Sequence, residues 1–272
     1  MKLTFLQRHA YGMGAAVASA VWLFMPKRRR LSIDNIVKGG VALDEKAAAA
    51  IAKEAWCHMA GHIAEALFVP QVVNAENWRE HLDVEGASPE AVKLLLDTPE
   101  KPILLVSAHH GVWEAATNLL SFARPMIAIA RTLNNKFAAN WMKKHHFRGP
   151  VTVIDKNHGF TPAVIKQWKD ECAAMTILMD QHTSKGLPLK FFGRDAKTFT
   201  TAAKMAIRHS VPVVVGSFVR VAPYKYKLVG DDPLVFAPGD DVAEATQKLN
   251  DRLEKAIRAY PGQYLWAHRR WR

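Results

Sequence analysis

The chain has 272 residues, 49% of them apolar, which excludes a disordered protein and allows one sizeable core. Lys and Arg total 37 against 25 Asp and Glu, a formal charge of +12 that points to anionic lipid, an acidic carrier protein or nucleic acid as partners. Nucleic acid is set aside because no zinc-finger, ribonucleoprotein or helix-turn-helix pattern occurs, and the two cysteines, Cys57 and Cys172, read as reduced thiols in apolar surroundings.

The first element is the apolar, small-residue-rich stretch Tyr11 to Met25, followed by Pro26-Lys27-Arg28-Arg29-Arg30. It is shorter than the ~20 residues of a perpendicular transmembrane helix. It reads as a short span, an embedded hairpin arm or an interfacial anchor. A cleaved signal is the competing reading, because Ala16-Val17-Ala18-Ser19-Ala20 holds a small-x-small pattern. Apolar Val21 to Met25 continues beyond that site into the basic cluster, which favours an uncleaved anchor on the cytoplasmic face.

Asp44 to Leu67 carries spaced apolar residues and predicts a helix. His58 and His62 stand four apart on it, near Glu54 and Glu65. A metal site is one reading; a solvated or lipid-facing helix is preferred, because nothing else supplies a matching ligand set. Ser88 is placed to cap a second helix, and Thr98-Pro99-Glu100-Lys101-Pro102 is a turn. Strands and helices then alternate. Strands are expected at 103–106, 126–130, 151–154, 174–179, 211–219 and 225–229. Helices are expected after the first strand and at 135–146, 162–169, 201–208 and 242–258. A long turn is expected around Gly186, Pro188 and Gly193. This alternation predicts an α/β fold with a mainly parallel sheet flanked by helices on both faces.

The richest segment is Ser107-Ala108-His109-His110-Gly111-Val112-Trp113-Glu114, at the turn from the first strand into its helix. Open α/β sheets place their chemistry at such carboxyl ends. An imidazole suits a general base near neutral pH, and a nearby carboxylate fixes its tautomer. Alone, such a pair is more often a surface contact or a satisfied core histidine, and on these two residues that reading is preferred. The segment resembles the His-x4-Glu/Asp motif of glycerolipid acyltransferases. In its fuller form it resembles the bacterial late lipid A (lauroyl/myristoyl) acyltransferases, with Val112 where that family often has Asn. Further blocks follow in the family's order: Arg131-Thr132-Leu133-Asn134, Arg148-Gly149, Asp180-Gln181, Phe191-Phe192-Gly193-Arg194, and Gln263 to Trp271. In the last block Gly262 stands where the family usually has Glu.

The resemblance implies a glycerolipid acyltransferase-like fold, with an anchor and basic flank over residues 1–30 and an acyltransferase domain over 31–272. It implies transfer of a fatty acyl chain from an acyl carrier protein or CoA thioester to a hydroxyl of a membrane glycolipid, as in secondary acylation of a lipid A precursor. The alternatives are acylation of a lysophospholipid or other lipid, hydrolysis, and a non-catalytic protein binding anionic membrane or RNA. His109 is the expected base, with His110 as its competitor, and Glu114 is expected to orient it. Gly111 is a candidate for part of the oxyanion surface, through its room for close backbone approach. Arg131 and Arg148 are candidates for phosphate contacts by bidentate hydrogen bonds. Asp180 is a substrate-hydroxyl contact or, preferably, a loop support. Lys190, Arg194 and the Phe191-Phe192 pair are candidates for an acyl or lipid groove, with simple core as the alternative for the aromatic pair. No metal or resident cofactor is expected, the acyl donor being a co-substrate. The expected setting is the cytoplasmic face of the inner membrane.

Overall fold

The computed structural model describes residues 3–130, 150–155 and 160–271. Helix α1 (Phe5–Val21) opens on a capping box: Gln7 N–H donates to the Thr4 hydroxyl, and the Gln7 side-chain carbonyl accepts from the Thr4 amide. Helix α2 (Pro26–Lys38) begins at a proline that needs no N–H there, and α3 (Glu45–Ala66) begins at Asp44, which accepts from the Ala47 amide at 2.7 Å. Two short helices follow, α4 (Val69–Val72) and α5 (Pro89–Val92), the latter capped by Ser88 as expected.

Helix α1 packs along α3. A Cβ at Gly14 would overlap the Ala60 carbonyl, and one at Gly61 would overlap the Tyr11 ring, so glycine sets the close approach of the two helices. No described helix is long and apolar enough to cross a membrane. Helix α1 is instead two-sided, with Ala10 and Ala18 buried and Leu6, Met13 and Val17 exposed. Nor is α3 solvated or lipid-facing at its histidines: His58 and His62 are both buried. An Ala-rich helix presents few polar residues to mark its outer face, so periodicity did not show which way they point.

The remaining elements are β1 (Leu82–Asp83), β2 (Ile103–Ser107), α6 (Trp113–Leu120), β3 (Met126–Ala130), β4 (Val151–Asp155), α7 (Pro162–Asp170), β5 (Ala174–Leu178), β6 (Leu187–Phe191), β7 (Arg194–Thr198), α8 (Thr201–His209), β8 (Val213–Ala222), β9 (Lys225–Gly230) and α9 (Val242–Ala259). The expected helix at 135–146 lies outside the described residues. The main sheet has the order β1-β9-β8-β2-β5-β3-β4, parallel throughout except for the antiparallel pair β8–β9. Along β2 alternate residues enter opposite cores: Leu104 and Val106 meet α8 and α9, while Ile103 and Leu105 meet α6. Burial on both faces explains why these strands read as unbroken apolar runs.

The expected long turn is a β-hairpin. β6 and β7 pair antiparallel in register Phe191↔Arg194, leaving Phe192-Gly193 as a two-residue turn with φ of 52° and 70°. Positive φ at both positions matches the twist of the flanking strands. Phe191 and Phe192 are core residues, in contact with Trp271 and Trp266.

A buried ion pair ties the N-terminal helices to the sheet. Arg220 on β8 donates from Nε and Nη2 to Glu65 Oε2 at 3.0 and 2.8 Å, and Tyr226 on β9 donates its hydroxyl to Glu65 Oε1 at 3.1 Å. The guanidinium also lies 3.8 Å over the Tyr11 ring of α1. Removing one partner strands the other charge in a low-dielectric interior, at a cost of about 3–5 kcal/mol. Glu65→Ala is therefore expected to lower the melting temperature by roughly 6–20 °C, at ~2–4 °C per kcal/mol for a domain of this size. The double change Glu65→Leu with Arg220→Met is expected to recover most of that. A single variant that melts within about 1 °C of the parent would count against the assignment.

Candidate active site

β2 ends at Ser107 and α6 starts at Trp113, so the motif forms a loop at the carboxyl edge of the sheet. This loop is held from two sides. Val112 N–H donates to the Phe218 carbonyl of β8 at 2.7 Å, Gly111 N–H donates to the Gln263 carbonyl at 2.9 Å, and Leu265 N–H donates to the His109 carbonyl at 3.0 Å. His110 and Tyr264 pair as an antiparallel bridge. A Cβ at position 111 would overlap the Phe218 carbonyl oxygen, and Gly111 has φ of 68°. Glycine is required there for approach to β8. Its amide is already donating to Gln263 and its carbonyl accepts from His58 Nε2 at 3.1 Å. The expectation that Gly111 supplies oxyanion surface is thus corrected: its role is to seat the loop.

His109 is fixed through both ring nitrogens. Nδ1–H donates to Asp180 Oδ1 at 2.9 Å, and the Gln181 side-chain amide reaches Nε2 at 3.2 Å. The His109 backbone N–H donates to the second carboxylate oxygen, Asp180 Oδ2, at 3.0 Å. One carboxylate just beyond the end of β5 therefore sets both the ring and the main chain at the end of β2. A proton on Nδ1 leaves the Nε2 lone pair as the basic site. Gln181 can donate N–H to that lone pair or, with its amide turned over, accept from a protonated Nε2. The Trp113 ring stands edge-on to His109, with centroids 5.1 Å apart, and to His62 at 5.0 Å.

Burial alone would lower the His109 pKa, but the Asp180 charge and hydrogen bond, with a smaller contribution from the Glu114 charge, raise it above its ordinary value. Burial pushes Asp180 up, and its charge attraction and bonds to His109 outweigh that and bring it down. His110 differs sharply. It is fully buried, Nε2–H donates to the Tyr260 carbonyl at 3.0 Å, and burial pulls its pKa to about 4. It is a neutral structural ring.

The orienting bond expected from Glu114 is thus found at Asp180, while Glu114, in the first turn of α6, acts on the ring through its charge. Asp180 supports the loop, as expected, through the His109 amide, and bonds the His109 ring as well. Arg194 does not line a groove: Nη1 donates to Asn35 Oδ1 at 3.2 Å and the guanidinium lies 4.5 Å over Trp271, so it fastens the hairpin to α2 and the C-terminal segment. Lys190 pairs with Asp195 across the same hairpin. Arg131 and Arg148 lie outside the described residues. Among the described residues no cluster of His, Cys, Asp or Glu could hold a metal ion. Sequence reasoning missed Gln181 as a contact, although it adjoins Asp180. It also missed Tyr264 and His268, whose rings respond electrostatically to Asp180. Where the resembling family usually has Glu, Gly262 leaves space occupied by the carboxylate of Glu54 from α3.

The raised His109 pKa fixes a sign. Asp180 favours the protonated ring, so this contribution to stability is complete below the unfolded value of ~6.5 and is lost as pH rises through the higher folded value. Asp180→Asn removes the charge that raises it. The His109 ring, followed by NMR titration, is expected to titrate at lower pH in that variant. The stability gap between parent and variant is expected to narrow as pH rises. An unmoved His109 midpoint would show that Asp180 does not set the ring's basicity.

The chain matches a family model described as bacterial lipid A biosynthesis acyltransferase over residues 14–272, a span that includes His109, Asp180 and the blocks around them. Among curated proteins none matches the chain. The match takes in α1 from Gly14 onward, the whole sheet, the His109 loop and the C-terminal segment that clamps it. The chain belongs to the bacterial lipid A biosynthesis acyltransferase family.

Proposed function

We propose that this acyltransferase moves a fatty acyl chain from an acyl carrier protein or CoA thioester to a hydroxyl of a membrane glycolipid, in the secondary acylation of a lipid A precursor. The observation that carries the chemistry is the His109 ring held between Asp180 and Gln181 at the end of β2. Nε2 takes the proton of the acceptor hydroxyl as its oxygen attacks the thioester carbonyl. The C–S bond then breaks and the thiolate leaves with the proton from the imidazolium. Asp180 holds the tautomer and supports the transient positive charge, with Glu114 adding to the same field. No serine or cysteine nucleophile is needed. Arg131 and Arg148 belong to the proposal as contacts to anionic groups of acceptor or carrier.

Support for a membrane setting comes from α1 and the turn after it. Leu6, Met13, Val17, Leu23 and Phe24 are exposed, Phe24 at 81%, beside the basic start of α2. An exposed apolar stripe with flanking cations suits a helix lying in the interface plane. We place the enzyme on the cytoplasmic face of the inner membrane.

Lipid mass spectrometry of producing cells with and without the gene is expected to show one acyl increment on one glycolipid. An increment on a lysophospholipid would name the other acceptor class, and free fatty acid alone would mean hydrolysis. With that acceptor, His109→Ala is expected to lose ~10²–10⁴-fold in turnover, while His110→Ala keeps turnover per folded molecule within about tenfold. The reverse ranking would sink the assignment of the base. Arg131→Ala and Arg148→Ala are expected to raise KM more than they lower kcat; unchanged KM with a lower melting temperature would make them scaffold residues.

Flotation of the full chain with vesicles containing anionic lipid is expected to weaken as salt rises but to persist in part through the apolar stripe. Charged replacements at Leu6, Leu23 and Phe24 are expected to abolish the salt-resistant fraction. If they float as the parent does, α1 is not the contact.

A further inference from the structure

The four amides around His109 are all committed. The N–H groups of His109, His110, Gly111 and Val112 donate in turn to Asp180 Oδ2, the Ala108 carbonyl, the Gln263 carbonyl and the Phe218 carbonyl. Residues 109–112 therefore offer no backbone cradle to a developing oxyanion. At the basic edge of the ring a side chain stands instead. The Gln181 amide nitrogen lies 3.2 Å from His109 Nε2, and Gln181 is half-buried on the segment that follows β5. Because Asp180 holds the proton on Nδ1, Nε2 has one in-plane lone pair, which one donor can use. A hydroxyl that gives its proton to Nε2 must come within about 2.6–3.2 Å of that atom, along the same direction. The Gln181 nitrogen already stands there, and the two cannot share the position. The place is reachable from outside: 16% of the His109 side chain is exposed, whereas His110 is sealed.

We infer that Gln181 is a catalytic residue: its amide N–H holds the place of the acceptor hydroxyl on Nε2 in the resting enzyme and, displaced by that hydroxyl, donates to the oxyanion of the tetrahedral intermediate. The inference rests on the acyltransferase reading above. The exchange is near balance, because one hydrogen bond to the lone pair replaces another. The acceptor proton passes to Nε2 as the hydroxyl oxygen bonds to the thioester carbon, and the carbonyl π pair moves onto its oxygen. Gln181 is long, flexible and anchored next to Asp180, so its amide can turn to that oxygen without leaving the ring's neighbourhood. Its N–H then meets charge that the ground state lacks. Collapse returns the pair to the carbonyl, the C–S bond breaks, and the thiolate takes the proton from the imidazolium. A carboxamide suits both positions, because it donates without a charge that would compete with His109 for Asp180.

The test uses the full chain with dodecanoyl thioesters of CoA and of an acyl carrier protein, with membrane lipid as acceptor. A thiol reagent reads C–S cleavage, and mass spectrometry identifies the acyl product. Gln181→Met keeps the length and removes the N–H. Gln181→Glu keeps the shape and puts a carboxylate in place of the donor; either variant decides if the other does not fold. Thiol release is expected to fall ~10²–10³-fold in both, through kcat with KM unchanged. Without substrate, Gln181→Met is expected to move the NMR titration of His109 to higher pH, because the lost donor favoured the neutral ring. The charges that face His109 from elsewhere, Asp180 beyond β5, Glu114 on α6 and His268 on the C-terminal segment, are the same in parent and variant. A Gln181 that only packs predicts a lower melting temperature with parental kcat and an unmoved His109 midpoint, and that result overturns the inference. So does a raised KM at parental kcat. A midpoint moved to lower pH overturns it too, since the amide would then be accepting from a protonated ring. If both expected changes occur but the parent's product is free fatty acid, Gln181 keeps its role toward water and the acyltransferase reading falls instead.

Discussion

The site depends on a buried carboxylate that is fully committed to one residue. Asp180 is 2% exposed, and its two oxygens take the ring and the amide of His109. Taking an isolated carboxylate out of water is costly, and here the cost is offset by two hydrogen bonds and by the positive charge the ring acquires. The arrangement works in both directions. The carboxylate stays ionised because the imidazole is there, and the imidazole becomes a stronger base because the carboxylate is there. It also joins the ends of β2 and β5, adjacent strands in register, so the sheet itself sets the spacing.

A second buried charge pair does different work. Glu65 and Arg220 connect α3 to β8, and the same Arg220 offers its backbone N–H and carbonyl to the Gln263 side chain at 2.9 Å each. Gln263 in turn accepts the Gly111 amide through its own carbonyl. Tyr11 sits under the Arg220 guanidinium and bonds His58 Nδ1 at 3.2 Å, while His58 Nε2 reaches the Gly111 carbonyl. Burial holds His58 neutral, with a pKa near 4, so this ring is a fixed strut across the titration range of His109. The loop that carries His109 is thus braced by α1 and α3 and by the C-terminal segment at once.

Much of the sheet was legible because doubly covered parallel strands leave an apolar run that needs no partner to be recognised. Ile103 to Val106 and Ala174 to Met179 are of that kind. The hairpin was not, because β6 is mostly exposed and carries Pro188, so it lacks both the run and the alternation. His109 stood out through its place at a strand end and its neighbours. Its partner did not, since a carboxylate five residues away in the same motif is conspicuous in sequence, while Asp180 is near only after β5 has joined β2. Gly111 was legible as a close approach, but what it approaches is set by β8. The inward turn of His58 and His62 was hidden by the alanines around them. In each case periodicity reported the local element, and the missing information was which other element lay against it.

The clasp formed by Gln263 and Leu265 follows the whole sheet in chain order. During synthesis β2 leaves the ribosome well before it. At ~5–20 residues per second, the interval from Ser107 to Leu265 is roughly 8–30 s. In that time the strands can pair and Asp180 can find His109, but the Gly111 amide and the His109 carbonyl have no partner from the clasp. The nascent chain therefore holds a sheet before the His109 loop is clasped. The order of the sequence alone makes the loop of His109 one of the last parts of the fold to be clasped.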